Sequence, residues 1–179
     1  MKNLLRKILP ERVDSIANPV VRHPLVADAD QWPDILKNDF IKFFAGKKIG
    51  EGSARWVYEM RYQPDLVIKV EFTESTFQNV QEWATWSEVQ FEKFGGMLAP
   101  CRRISSCGHI LIQEKTEKLK PGEVPSSTPS FIRDRKLKNY GRSKRGSIVC
   151  HDYAINNLHK TGLDNAEIEE IPKSFWVTS

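Results

Sequence analysis

One lysine interrupts the most apolar strand-like run of the chain, Leu66-Val67-Ile68-Lys69-Val70-Glu71-Phe72. On a central strand a buried ammonium is costly unless an acidic or phosphate group meets it. The plain alternative is an edge strand whose lysine reaches solvent. The next segment offers partners. Thr73 to Phe94 carries Phe77, Val80, Trp83, Ala84, Trp86 and Val89 at three- and four-residue steps, and Gly95-Gly96 closes it, which predicts a long amphipathic helix. Glu82 has tryptophans at the next and fourth positions and so borders the buried face. Glu88 falls farther round, where a solvated glutamate is the default.

The surrounding pattern is strand-rich. Residues 41–50 (IKFFAGKKIG) and 55–62 (RWVYEMRY) are short apolar and aromatic runs, and Gln63-Pro64-Asp65 marks a turn before Lys69's strand. After the helix, residues 98–105 (LAPCRRIS) and 109–115 (HILIQEK) read as two further strands. Pro, Gly, Ser and Thr make 118–129 a connector. The order is three strands, one long helix and two strands over 39–117, then the connector and a remaining segment to 179, an α+β pattern. Residues 1–38 read as an extension. It has an amphipathic stretch at Leu4, Leu5, Ile8 and Leu9, then prolines at 19, 24 and 33, then a short helix before Asp39.

At 179 residues the chain suits one domain, or two small lobes sharing a cleft. Its net charge of +4 permits an anionic ligand without demanding nucleic acid. Three cysteines without a paired framework suggest reduced thiols and a cytoplasmic protein. With no CxxC and four scattered histidines, zinc is not expected. The N-terminal run is too short and too charged for a signal peptide, and no membrane span is expected.

Gly50-Glu51-Gly52 lies on a turn between two predicted strands. Glycines there let backbone N–H groups approach phosphates, and Val57 just beyond can cover an adenine ring; a plain hairpin turn is the competing reading. Farther on, seven of the thirteen residues from Arg133 to Arg145 are Lys or Arg. Within that run Asp134 and Asn139 stand five apart with Lys136 between them, and Asp152 follows the strand-like Ser147-Ile148-Val149-Cys150. Phosphoryl transfer needs a carboxylate to take a hydroxyl proton, an Asn and an Asp to hold Mg²⁺, and a lysine near the γ-phosphate. A basic amphipathic helix, or a patch for nucleic acid, is the competing interpretation.

Taken in order, these motifs resemble the protein kinase fold from about Ile41 to Ala154. Gly50-x-Gly52-x-x-x-x-Val57 resembles the glycine-rich loop, Val67-Ile68-Lys69 the strand with the phosphate-pairing lysine, and Glu82 the helix glutamate that orients it. Ile110 to Thr116 is similar to the strand and hinge whose backbone binds adenine, which implies roles for Glu114 and Thr116. Arg133-Asp134-x-Lys136-x-x-Asn139 resembles the catalytic loop, and Asp152-Tyr153-Ala154 stands where kinases have Asp-Phe-Gly. The stretch from Asn139 to Ala154 is also similar to short kinase-like proteins of phage and bacteria. The resemblance implies an α+β fold with a five-stranded antiparallel sheet and one long helix over 39–117 and a much reduced, mainly helical second lobe over 118–179. It also implies Mg²⁺-dependent transfer of the γ-phosphate of ATP to a protein Ser, Thr or Tyr.

The departures are specific. Arg55 replaces the third loop glycine, which would add a side chain over the phosphates. Ile132 replaces the usual His, and Ala154 the usual Gly. Only 25 residues follow Ala154, too few for an ordinary substrate platform. A second register is open, in which Asp152 and Asn157 form the catalytic loop and 131–145 becomes the preceding helix. With the platform missing, a pseudokinase that docks on a partner protein is the first alternative function. A nucleic-acid-binding protein using 133–145 is the second.

Overall fold

The structure, a computed structural model, describes residues 32–72 and 76–177. The expected helix at Leu4–Leu9 and the segment with Pro19 and Pro24 lie outside them. The chain divides into two compact units, Met1–Leu36 and Lys37–Ser179. Of the first unit only the opening of helix α1 (Trp32–Phe44) is described.

Five strands follow as β1 (Ala45–Glu51), β2 (Arg55–Met60), β3 (Leu66–Glu71), β4 (Cys101–Ile104) and β5 (Ile110–Glu114), with helix α2 (Gln78–Val89) between β3 and β4. They form an antiparallel sheet in the order β1-β2-β3-β5-β4. The expected α+β architecture and its five-stranded sheet are therefore present. β3 is the middle strand, so the edge-strand reading of Lys69 is overturned: Lys69 pairs with Val57 on one side and Leu111 on the other. Successive side chains of a strand point to opposite faces. Ile68 and Val70 pack with Ala45, Ile110 and the α1 residues Phe40 and Ile41. Lys69 and Glu71 point to the α2 side.

Two elements differ from expectation. Residues Ile41–Phe44 complete α1 rather than opening the first strand. A four-residue apolar run fits either period, and here the helical one places Phe40 against Phe44, ring centroids 4.8 Å apart. Helix α2 is shorter than Thr73–Phe94, and its buried residues are Asn79, Glu82, Thr85 and Val89. Phe77, Val80 and Ala84, expected on the buried face, are exposed, and Trp83 and Trp86 are half-buried. The polar residues hold the inner face because each is hydrogen-bonded there. Asn79 Nδ2 donates to the carbonyls of Lys69 (3.2 Å) and His109 (3.0 Å), and Thr85 Oγ1 accepts from Asn156 Nδ2 at 2.9 Å. The helix also starts abruptly. Phe77 is left-handed at φ 50°, and the Glu71 carboxylate accepts the Asn79 N–H at 2.5 Å, so β3 caps the helix from outside.

The remaining chain is not the mainly helical part that was expected. It forms two ribbons, β6 (Ser127–Pro129) with β9 (Ile168–Glu170) and β7 (Tyr140–Arg142) with β8 (Ile148–Cys150), besides a four-residue helix α3 (Leu158–Thr161) and short 3-10 turns. Its ordered runs are too short to repay helix nucleation, and Gly146, at φ 86°, turns β7 back into β8. One core joins this portion to the sheet: Phe94 and Leu98 pack with Leu111, Phe131, Ile132 and Tyr153. Among the described residues no helix is long and apolar enough to cross a membrane.

Candidate functional site

The buried lysine has its partner. Lys69 Nζ lies 2.7 Å from Glu82 Oε2 and donates to the His151 carbonyl at 2.5 Å. Glu88 is exposed on the far side of α2. The other Glu82 oxygen, Oε1, accepts from Arg55 Nη2 at 2.9 Å. Glu82 is fully buried. Burial would raise its pKa, but Arg55 and Lys69 outweigh that and hold it down to about 2. Arg55 therefore does not lie over a phosphate site, as the loop pattern suggested. It turns inward beneath the glycine turn, where Gly52 N–H bonds to the Arg55 carbonyl at 2.8 Å. Its Nη2 also reaches Asp152 Oδ1 at 2.6 Å, and Nη1 reaches Asn79 Oδ1 at 3.3 Å.

The segment opening with Asp134 is fixed to the segment ending in Asp152. The Asn139 carbonyl accepts from the N–H groups of His151 (2.8 Å) and Asp152 (3.4 Å), and Asn139 Nδ2 donates to the Asp134 carbonyl at 2.9 Å. That commitment of the amide nitrogen leaves the Asn139 oxygen as the end a cation would use. Lys136 Nζ sits 3.0 Å from Asp134 Oδ1. Burial works to raise the Asp134 pKa, but hydrogen bonds from Lys136 and Asn139 prevail and it is lowered. Asp152 behaves oppositely: burial and the neighbouring Glu82 carboxylate raise it, and Lys69 and Arg55 offset only part of the effect. A carboxylate in that condition gains by meeting another cation. The His151 pKa is lowered to about 4, by burial first and then by Lys69, so the ring is neutral at pH 7. Its Nδ1 lies 2.8 Å from Thr116 Oγ1.

Most of these groups line a cavity of about 960 Å³, within the size range of small-molecule and cofactor sites. Gly50, Gly52 and Val57 form one wall, Lys69 and Asp152 its depth, and Asp134, Lys136 and Asn139 the opposite side; Glu114 and Thr116 complete the rim. Of the expected site residues only Glu82 is absent from the lining, because it stands behind Lys69. The rim at Thr116 has a distinctive hydrogen-bond pattern. The N–H groups of Glu114, Lys115 and Glu117 go to the carbonyls of Pro100 (2.9 Å), Asp65 (2.8 Å) and Arg142 (2.8 Å). Among the described residues the Thr116 N–H meets no acceptor, which makes it a free donor at the cavity edge. Gly141 lets β7 approach here, since a Cβ would collide with the Thr116 side chain.

The second register is not assembled. Asn157 does not line the cavity, and 131–145 is no helix but an extended segment, a 3-10 turn at Leu137–Asn139 and strand β7. Four of the seven basic residues of this run are also paired in place. Arg135 pairs with Glu169 (2.7 Å), Lys136 with Asp134, Arg142 with Glu123 (2.7 Å) and Lys144 with Asp65. Sequence reasoning missed Arg55 and Asn79 as inward-facing residues. The one available signal was the step of two from Arg55 to Val57, which puts both on the cavity face of β2.

Asp152 and Asn139 supply oxygen donors of the kind that suit Mg²⁺, which is commonly held by one or two carboxylates with substrate phosphates completing its shell. Among the described residues no cluster of three or more His, Cys, Asp or Glu side chains is placed to hold a metal unaided. Compared with known protein families and with curated proteins, the chain finds no match.

Proposed function

We propose that the chain is a minimal, protein kinase-like phosphotransferase that binds ATP with Mg²⁺ and phosphorylates a protein hydroxyl. The observation that carries this reading is the buried Lys69–Glu82 pair opening onto the same cavity as Asp134, Asn139 and Asp152. In it, Lys69 holds the α- and β-phosphates while the Gly50–Gly52 turn covers them, and Val57 packs on the adenine. The free Thr116 N–H donates to a ring nitrogen, beside the Glu114 backbone. Asn139 and Asp152 would hold Mg²⁺, which would supply positive charge against the charge developing in transfer. The acceptor hydroxyl oxygen bonds to the γ-phosphorus, the bond from that phosphorus to the β-γ bridging oxygen breaks, and ADP leaves. Asp134 orients the hydroxyl and accepts its proton; Lys136, beside it, meets the transferred group.

The cheapest test is a melting curve with ATP, with and without Mg²⁺, on wild type and Asp152→Ala. At a hundred times the dissociation constant, bound ligand stabilises by about 2.7 kcal/mol, a shift of a few degrees. A Mg²⁺-dependent shift lost in Asp152→Ala supports the reading, and no shift in wild type removes it. A docking protein without catalysis is the second reading, favoured by the exposed Phe77, Val80 and Phe91 on and beside α2. It predicts retention of partner binding in Asp134→Ala.

A further inference from the structure

Arg55 is the most committed side chain of the cleft. It opens β2 opposite Glu71 in β3. Nη2 has two N–H groups and both are engaged, one by Glu82 Oε1 and one by Asp152 Oδ1. Nη1 is held by Asn79 Oδ1. Glu82 and Asn79 both belong to α2 and are fully buried. The guanidinium cannot swing out with Asp152 unless it leaves Glu82 short of one of its two cations, a costly state for a buried carboxylate. Asp152, by contrast, has a side chain 46% exposed against 6% for Arg55. One Asp152 oxygen thus faces a fixed cation. The other, Oδ2, accepts from no protein donor among the described residues, and the Glu82 carboxylate lies beside the group.

In two-metal sites the ions stand about 3.5–4 Å apart, and a carboxylate shared between them is best placed with both oxygens free to meet cations. A second ion at Oδ1 would stand against a buried guanidinium, where solvent screens little of the repulsion. Arg55 and Lys69 place two positive charges against the one negative charge of Glu82, so one net positive charge already stands at the depth of the cavity. We propose that Arg55 is a resident cation of the nucleotide site, holding one oxygen of Asp152 so that a single divalent ion accompanies the nucleotide; this rests on the phosphotransferase reading above. Arg55 acts as a positioning residue. It ties the segment carrying Asp152 to α2, so the Lys69–Glu82 pair and Asp152 stand assembled before any ligand arrives.

The test counts metal ions on the full chain. Mn²⁺ is titrated into an equimolar mixture of protein and a non-hydrolysable ATP analogue, free ion is followed by electron paramagnetic resonance, and nucleotide binding is followed separately by calorimetry. Wild type is expected to bind one Mn²⁺ per complex, Arg55→Lys one, and Arg55→Gln two. Two ions in wild type overturn the proposal, and that arm decides whether or not Arg55→Gln folds. A count of one in a nucleotide-bound Arg55→Gln also overturns it. If calorimetry finds no nucleotide on wild type, the phosphotransferase reading fails and takes this inference with it; a bound nucleotide with the wrong metal count removes this inference alone.

Discussion

On one face of β3, Ile68 and Val70 are fully buried against Ala45, Ile110 and helix α1. On the other face Lys69 and Glu71 are buried almost as deeply, among Arg55, Asn79 and Glu82. A single six-residue strand thus carries an apolar contact and an ionic one back to back. The apolar face depends on volume and tolerates small changes of shape. The ionic face depends on pairing: Glu82 is shared by two cations, so its loss leaves both without their common anion. An apolar contact and the candidate chemistry are held on opposite sides of one backbone, which keeps the lysine rigid without a rigid loop.

The largest break in this comparison is expected at Glu82. Glu82→Ala should cost about 3–5 kcal/mol, the range for breaking a buried ion pair, read from urea denaturation. A loss below about 1 kcal/mol would mean that Lys69 and Arg55 find other partners. The next effect is on pH. The folded His151 pKa is lowered to about 4 from an ordinary 6.5, so between those values the unfolded chain binds more protons. Stability therefore falls as pH drops from about 6.5 towards 4, by at most about 3 kcal/mol. His151→Gln should flatten this limb while leaving any steeper loss below pH 4.5, where Glu82 begins to protonate in the unfolded chain. An unchanged limb would assign it elsewhere. On the apolar face, Ile68→Val should cost only about 0.5–1.5 kcal/mol. A cost equal to that of Glu82→Ala would abolish the distinction between the faces.

The apolar half of this account was legible in the sequence. Short β-rich runs separated by turns gave the five strands, and an ionisable residue inside Leu66–Phe72 required a partner that Glu82 supplies. Hydropathy failed where burial is polar. Asn79 and Thr85 look like surface residues by type, so α2 was assigned an apolar face through Phe77, Val80 and Ala84, which the structure exposes. Arg55 was legible as a departure from a glycine pattern but not in its direction, because its acceptors come from α2 and from Asp152, 97 positions away. The ribbons near the C-terminus were missed because three-residue strands show no periodicity, and a helical second part came from resemblance rather than from pattern.

The most direct test of the central claim, that the ionic face of β3 is a nucleotide site, is calorimetric titration of a Mg²⁺-bound, non-hydrolysable ATP analogue into wild type and Lys69→Met. Methionine keeps much of the lysine's apolar length and Glu82 keeps Arg55, so the variant should fold, though less stably. The account predicts binding by wild type and at least about a tenfold loss in Lys69→Met, equivalent to about 1.4 kcal/mol. No binding by wild type, or equal binding by a folded Lys69→Met, would contradict it.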